Sequence, residues 1–124
     1  MSAATDQNAV CHAGDVFSLR FPILNPDGTA AAFTDPEGVY AIGSRPKPID
    51  GETPLILKTT TPAAGARILQ ESGTWVLYVD FAEADTQDIA PGVRYHEARI
   101  VDVSNIFTVA TGTVTVYPTI IREA

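Results

Sequence analysis

From residue 15 onward, apolar and polar side chains alternate with a period of two, the mark of strands rather than helices. The pattern is densest over 93–117. In its first arm His96, Ala98 and Ile100 fall on one face, and Glu97, Arg99, Val101 and Val103 on the other. In its second arm Thr111, Thr113 and Thr115 alternate with Gly112, Val114 and Val116, polar outward and apolar inward. The two arms predict a β-hairpin turning at Ser104-Asn105, where Asn tolerates positive φ. Gly112 is the expected place of a bulge or bend. Pro118 lacks an N–H, so the strand ends there or runs along an edge.

The rest of the chain reads in the same way. Over 15–24, Phe17, Leu19, Phe21 and Ile23 share a face opposite Ser18 and Arg20, which is the strongest core signal in the sequence. Asn25-Pro26-Asp27-Gly28 is a turn. Residues 29–38 lack periodicity and predict irregular chain anchored by Phe33. Strands are expected over 39–45, 55–60, 66–70 and 74–81, with a proline-containing loop over 45–54. Over 74–81, Trp75, Leu77, Val79 and Phe81 share one face and Val76 and Tyr78 the other. The period changes after Asp80. Asp80 and Glu83 stand at capping-box spacing, which predicts one helical turn over 82–89 with Ile89 tucked beneath the sandwich and Pro91-Gly92 ending it. About seven short strands separated by turns predict an all-β antiparallel sandwich with Phe17, Leu19, Phe21, Trp75, Leu77, Ile100, Val114 and Val116 in its core. The expected division is a flexible or partner-bound arm over 1–13, a sandwich over 14–118 and a tail over 119–124.

Composition narrows the classes. One domain is expected from 124 residues, and a chain of that length can bury a core without metal or disulfides. The net charge of −7, with only 8 Lys and Arg, argues against nucleic acid as a partner, because phosphate binding needs a basic patch. Cys11 is the single cysteine, so no intrachain disulfide can form, which suits a cytosolic origin. Residues 1–10 carry no Lys or Arg and precede no long apolar run, so neither a secretory signal nor a membrane span is expected.

Candidate chemistry is sparse. Cys11-His12 invites a dyad reading, but neighbours in an extended arm point apart, and His96 is the only other histidine for a metal set. Asp80, Glu83, Asp85 and Asp88 form an acidic group without the alternating oxygen ligands and central Gly of a calcium loop, which reads as a solvated turn. His96 and Glu97 project to opposite faces of a strand. Ser18, Ser44, Ser72 and Ser104 lack a Gly-x-Ser-x-Gly context, and no glycine-rich loop precedes a helix. Trp75 and Tyr78 are of a type that stacks on sugars, although Trp75 shares its face with three core residues. No catalytic residue, metal ligand or cofactor is expected.

Gly14-Asp15-Val16-Phe17-Ser18-Leu19-Arg20-Phe21, Trp75-Val76-Leu77-Tyr78-Val79, the Ala-Glu-Ala-Asp-Thr turn at 82–86, Ala90-Pro91-Gly92 before Tyr95-His96-Glu97-Ala98-Arg99-Ile100, and Gly112-Thr113-Val114-Thr115-Val116 follow in a familiar order. Over roughly 14–117 this order resembles a family of small immunoglobulin-like modules in tailed-bacteriophage virions, which includes the N-terminal domain of baseplate upper proteins. The chain departs from it in its proline-containing 45–54 loop and in having nothing long after Pro118. The resemblance implies an immunoglobulin-like sandwich and a non-enzymatic structural protein of capsid, tail or baseplate. It implies synthesis in the host cytoplasm without a signal peptide. The partners implied are other virion proteins and copies of the chain itself in a symmetric homo-oligomer, not membrane. The alternative is a ligand-binding module, such as a carbohydrate-binding or adhesin domain using Trp75 or Tyr78.

Overall fold

Two sheets face each other across one apolar layer. The computed structural model describes residues 5–6, 8–25, 27–45, 53–61, 63–87, 89–103 and 105–118. In chain order the elements are β1 (Thr5–Asp6), β2 (Ala9–His12), β3 (Phe17–Pro22), β4 (Pro36–Gly43), β5 (Ile56–Thr59), β6 (Ala66–Glu71), β7 (Thr74–Phe81), α1 (Glu83–Gln87), β8 (Gly92–Asp102) and β9 (Asn105–Tyr117). The smaller sheet runs β3-β7-β6, all antiparallel. The larger runs β9-β8-β4-β5, with β1 and β2 lying parallel along the free side of β9. Lettering β3 to β9 as B, C, C′, D, E, F and G gives a B-E-D sheet against a G-F-C-C′ sheet. That partition is the topology of an immunoglobulin-like sandwich.

The expected core is largely present. Phe21, Leu77, Ile100, Val114 and Val116 are buried, joined by Ile23, Ile42, Val79 and Phe81. Phe17, Leu19 and Trp75 are half-buried and pack against that cluster from its margin. The first strand is shorter than the alternation over 15–24 suggests. Its regular ladder stops at Pro22, which has no N–H to give, and Leu24 only bridges back to Ala30. The stretch expected to be irregular over 29–38 already enters β4 at Pro36, while Phe33 packs beside Phe107 as an anchor.

An immunoglobulin domain pins strands B and F together by a disulfide beside a tryptophan on strand C. Here an aromatic cluster occupies that place. Phe21 from β3, Tyr40 from β4 and His96 from β8 stand with ring centroids 5.5–6.0 Å apart, and Phe81 from β7 closes the cluster 5.8 Å from Tyr40. The Tyr40 hydroxyl and His96 Nδ1 share a buried hydrogen bond of 2.8 Å. Burial, with a smaller contribution from Cys11 nearby, pushes the Tyr40 phenol far above its ordinary range.

The structure corrects three details of the hairpin and helical turn. The register pairs Asp102 with Asn105, so the chain reverses between them, and positive φ falls on Val103 (φ 60°) rather than on Asn105. The bulge lies not at Gly112 but at Val109. Ala98 pairs with Ala110 while Arg99 pairs with Thr108, so Val109 has no opposite number and buries beside Ala110. Asp80 does not cap α1. It lies within β7, paired with Ser18, and its carboxylate is held by Arg67 and Ser18. The helix instead starts after Ala82, whose N–H donates to Asp85 Oδ2 at 2.6 Å, the return half of a capping box. Ile89 does pack against the core.

The 1–13 arm also differs from expectation. Ala9–His12 is a strand of this same chain, registered Ala9 to Val114 through His12 to Tyr117, and Cys11 joins the core. The physical reason is the otherwise open edge of β9, whose N–H and C=O groups an extended neighbour satisfies. The 119–124 tail and residues 46–52 of the expected loop lie outside the described residues.

Val103 gives a direct test of the turn. A β-branched residue at φ 60° is strained, and Val103 is 76% exposed, so little packing is lost on replacement. Val103→Gly is expected to raise the unfolding free energy by about 1 kcal/mol, read from a urea titration. No gain would contradict the strained turn.

Candidate functional site

The two outer faces of the sandwich differ in chemistry. On the small sheet, period two brings Ser18 and Arg20 of β3, Tyr78 and Asp80 of β7, and Arg67 and Glu71 of β6 to one surface. They satisfy one another. Asp80 accepts from the Ser18 hydroxyl (2.6 Å) and from Arg67 Nε (3.0 Å). Glu71 accepts from the Tyr78 hydroxyl (2.5 Å) and from Arg20 Nη2 (2.9 Å). The Arg67 guanidinium lies 4.5 Å from the centroid of the Tyr78 ring. Tyr78 and then Arg20 hold Glu71 below the usual carboxylate range, and Arg67 and then Ser18 do the same for Asp80. These groups are exposed, so the lattice contributes surface order more than stability.

The described residues on the outer face of the large sheet carry fewer charged groups. Here the outward positions of β2, β9, β8, β4 and β5 carry valine, threonine, tyrosine, alanine and leucine. Val10 (63% exposed), Leu57 (56%) and Ile106 (62%) stand open to solvent, with Val93 at the end of β8. Among the described residues of these five strands, only Glu37, Glu97 and Arg99 bring carboxylate or guanidinium groups to this surface. Glu97 and Arg99 follow each other on the outward side of β8 and pair at 3.0 Å. Period two in the sequence already put both on one face; what it did not supply was the identity of β8 as the middle strand.

Between the sheets at one end, Lys58 and Asp85 form a clip that the sequence did not reveal. The ammonium meets Asp85 Oδ2 at 2.7 Å and lies 5.8 Å from the Phe81 ring. The side chains are 12% and 24% exposed. Burial works against the Asp85 charge, but the Lys58 ammonium and the Ala82 N–H outweigh it and hold the carboxyl below its ordinary range. Because the folded form is the better acid, this contribution is present above the unfolded carboxylate pKa of about 3.9 and disappears as the pH falls through that region. Lys58→Ala is therefore expected to cost about 2 kcal/mol at pH 7, discounted from a fully buried pair for its partial exposure. The difference from wild type should shrink towards pH 3 in parallel urea titrations. A pH-independent cost would mean the charge pair is not responsible.

The sequence candidates fall as follows. Cys11 is buried in β2 and His12 is exposed beside Tyr117, 4.0 Å from Asp15, so the neighbours occupy opposite faces. Burial first, then Asp15, pushes the Cys11 thiol up, away from reactivity. Asp80 and Asp85 each have a cation, Glu83 is exposed, and Asp88 lies outside the described residues. No group of three or more His, Cys, Asp or Glu that could hold a metal ion occurs among the described residues. His96 faces the core and Glu97 the exterior. Ser18 bonds Asp80, Ser44 and Ser72 are exposed, and Ser104 lies outside the described residues. Trp75 packs at the core margin, and one face of Tyr78 is occupied by Arg67. No helix of the described residues is long and apolar enough to cross a membrane.

No protein-family model matches the chain, and no curated protein matches it. Among solved structures it is similar to the N-terminal Ig1-2 module of the Drosophila receptor protein tyrosine phosphatase DLAR, at 15% identity and a TM-score of 0.38. The similarity covers 95% of this chain and 48% of that one, so the chain spans about half the length of that module.

Proposed function

We propose that this chain is a non-enzymatic structural module of a tailed-phage virion or phage-like particle, assembling through the outer face and edges of its larger sheet. Its partners are other virion proteins and copies of itself, and the negative net charge sets nucleic acid aside. The observation that carries this reading is the contrast between the two outer faces. One is closed by its own hydrogen bonds and ion pairs, while the other offers apolar and threonine side chains with few charges. The phage assignment itself rests on the order of short motifs over 14–117. The terminal segments and the 45–54 loop remain part of the proposed contact set.

Purified particles encoded together with this chain should contain it, located by immunogold electron microscopy. A Leu57→Lys/Val93→Lys chain should keep its far-ultraviolet spectrum yet be lost from those particles. Absence of the wild-type chain from particles, or normal incorporation of the lysine variant, would overturn the reading.

A further inference from the structure

The exposed face of the larger sheet has a self-complementary centre. β8 is the middle strand, flanked by β9 on one side and β4 on the other. At its midpoint, Glu97 and Arg99 stand side by side on the outward surface, separated by inward-facing Ala98. An acid and a base one step either side of a centre are what a two-fold axis exchanges.

We infer that this face docks a second copy of the same chain, with the two-fold axis lying in the interface and crossing β8 at the level of Ala98. The inference rests on the reading above that this face is the docking surface, and it names the occupant. Rotation about that axis sets the two β8 strands antiparallel and face to face. Glu97 then lies over the partner's Arg99, and Arg99 over the partner's Glu97. An axis running along β8 would instead stack Glu97 on the partner's Glu97, so charge selects the crossing axis.

The registers carry the match outward. Ala41 pairs with Glu97 and Val39 with Arg99 across β4, so Ala41 lies over the partner's Val39. Thr111 and Thr108 occupy the corresponding levels of β9 and face each other in the same way. Along β8, Tyr95 lies over the partner's Val101. Glu37, the other acidic residue that β4 and β8 bring to this face, shares the level of Val101 and falls over the partner's Gly43, which shares the level of Tyr95. Among these residues of β4 and β8 no like charges meet. Two such faces, mostly of uncharged side chains, can approach at the usual sheet-packing distance of about 10 Å. The outer face of the small sheet lacks this property, because its ion pairs, Arg20–Glu71 and Arg67–Asp80, join different strands and do not flank one position of a middle strand.

Sedimentation equilibrium of the full chain tests this. Wild type should show a reversible monomer–dimer equilibrium. Glu97→Lys and Arg99→Glu should each weaken the dimer by about tenfold or more, because each places like charges opposite one another. An equimolar mixture of the two variants should recover dimer. In the mixed pair the introduced lysine of one copy meets the introduced glutamate of the other, and the retained Arg99 meets the partner's retained Glu97. Both side chains are about half exposed, and unchanged far-ultraviolet spectra would confirm that the variants fold. A wild-type chain that stays monomeric, single variants that dimerise as well as wild type, or a mixture that fails to recover dimer would each overturn the inference. A monomeric wild type that still enters particles would sink the homodimer alone. Absence from particles counts instead against the broader assembly reading.

Discussion

A Tyr40→Ala chain is expected to lose about 4 kcal/mol of unfolding free energy, a large share of the 5–15 kcal/mol that holds a typical domain together. Tyr40 has no exposed surface, and its ring touches both layers: Phe21 and Phe81 from the small sheet, His96 from the large one. Removing the ring opens a cavity at the centre of the sandwich, where β4 and β8 are held in register and cannot collapse inward. Tyr40→Phe separates the two contributions. It keeps the ring and removes only the hydroxyl, leaving His96 Nδ1 without that partner at 2.8 Å. The expected cost is about 1–2 kcal/mol, the usual penalty for a buried polar atom deprived of its bond. Because burial pushes the phenol far up, the hydroxyl stays protonated across the working pH range, and the alanine variant should cost more than phenylalanine at every pH from 6 to 9. Urea titrations of the two variants measure both numbers. A phenylalanine variant as stable as wild type would mean that the Tyr40–His96 bond contributes nothing. Equal costs for both variants would mean that the ring does not fill the inter-sheet space as described.

Strand alternation made most of this fold legible. His96, Ala98 and Ile100 share a face in the sequence pattern and share the core in the structure; Phe21, Leu77 and Val114, each on the apolar face of its own strand, join them there. The pattern was silent on what happens where two strands meet. Tyr40 and His96 each sit on an otherwise apolar face, and a polar atom in such a place requires a partner. That requirement was readable from either strand, but the pairing was not, because 56 residues separate them. Local signals also lost to tertiary ones. The Asp80 and Glu83 spacing suggested a cap, yet Asp80 is drawn into β7 by its ladder with Ser18 and by Arg67, and Asp85 takes the capping role. The arm over 1–13 has weak periodicity, and the long edge of β9 is what gives Ala9–His12 a place to pair. The candidate docking face was visible only in half. Alternation exposed Glu97 and Arg99 together, but their position on the middle strand follows from the order β9-β8-β4, which no local pattern encodes.

Gly38 sets how closely the two sheets approach, and Gly38→Ala is expected to cost about 2–3 kcal/mol. This glycine lies inside β4, paired with Ile100, in a conformation open to any residue, so the effect is steric rather than a matter of φ. A Cβ built there would meet Leu77 Cδ1 at 2.5 Å and Thr60 Cγ2 at 3.3 Å. Leu77 comes from the opposite sheet, has no exposed surface, and packs directly on the β4 backbone at this point. It has nowhere to withdraw, because the surrounding core is filled at near-crystalline density. Thr60 is fixed as well: its hydroxyl accepts from the Gly38 N–H at 2.8 Å and its own N–H donates to the Gly38 carbonyl at 3.1 Å. The added methyl therefore has to part the sheets or break that reciprocal clasp. A double-mutant cycle isolates the first possibility. Leu77→Val shortens the side chain that the new Cβ strikes, so the combination with Gly38→Ala should cost clearly less than the two single changes added together. Additive losses in the urea titration would show that Leu77 is not the obstacle and that Gly38 is needed for some other reason.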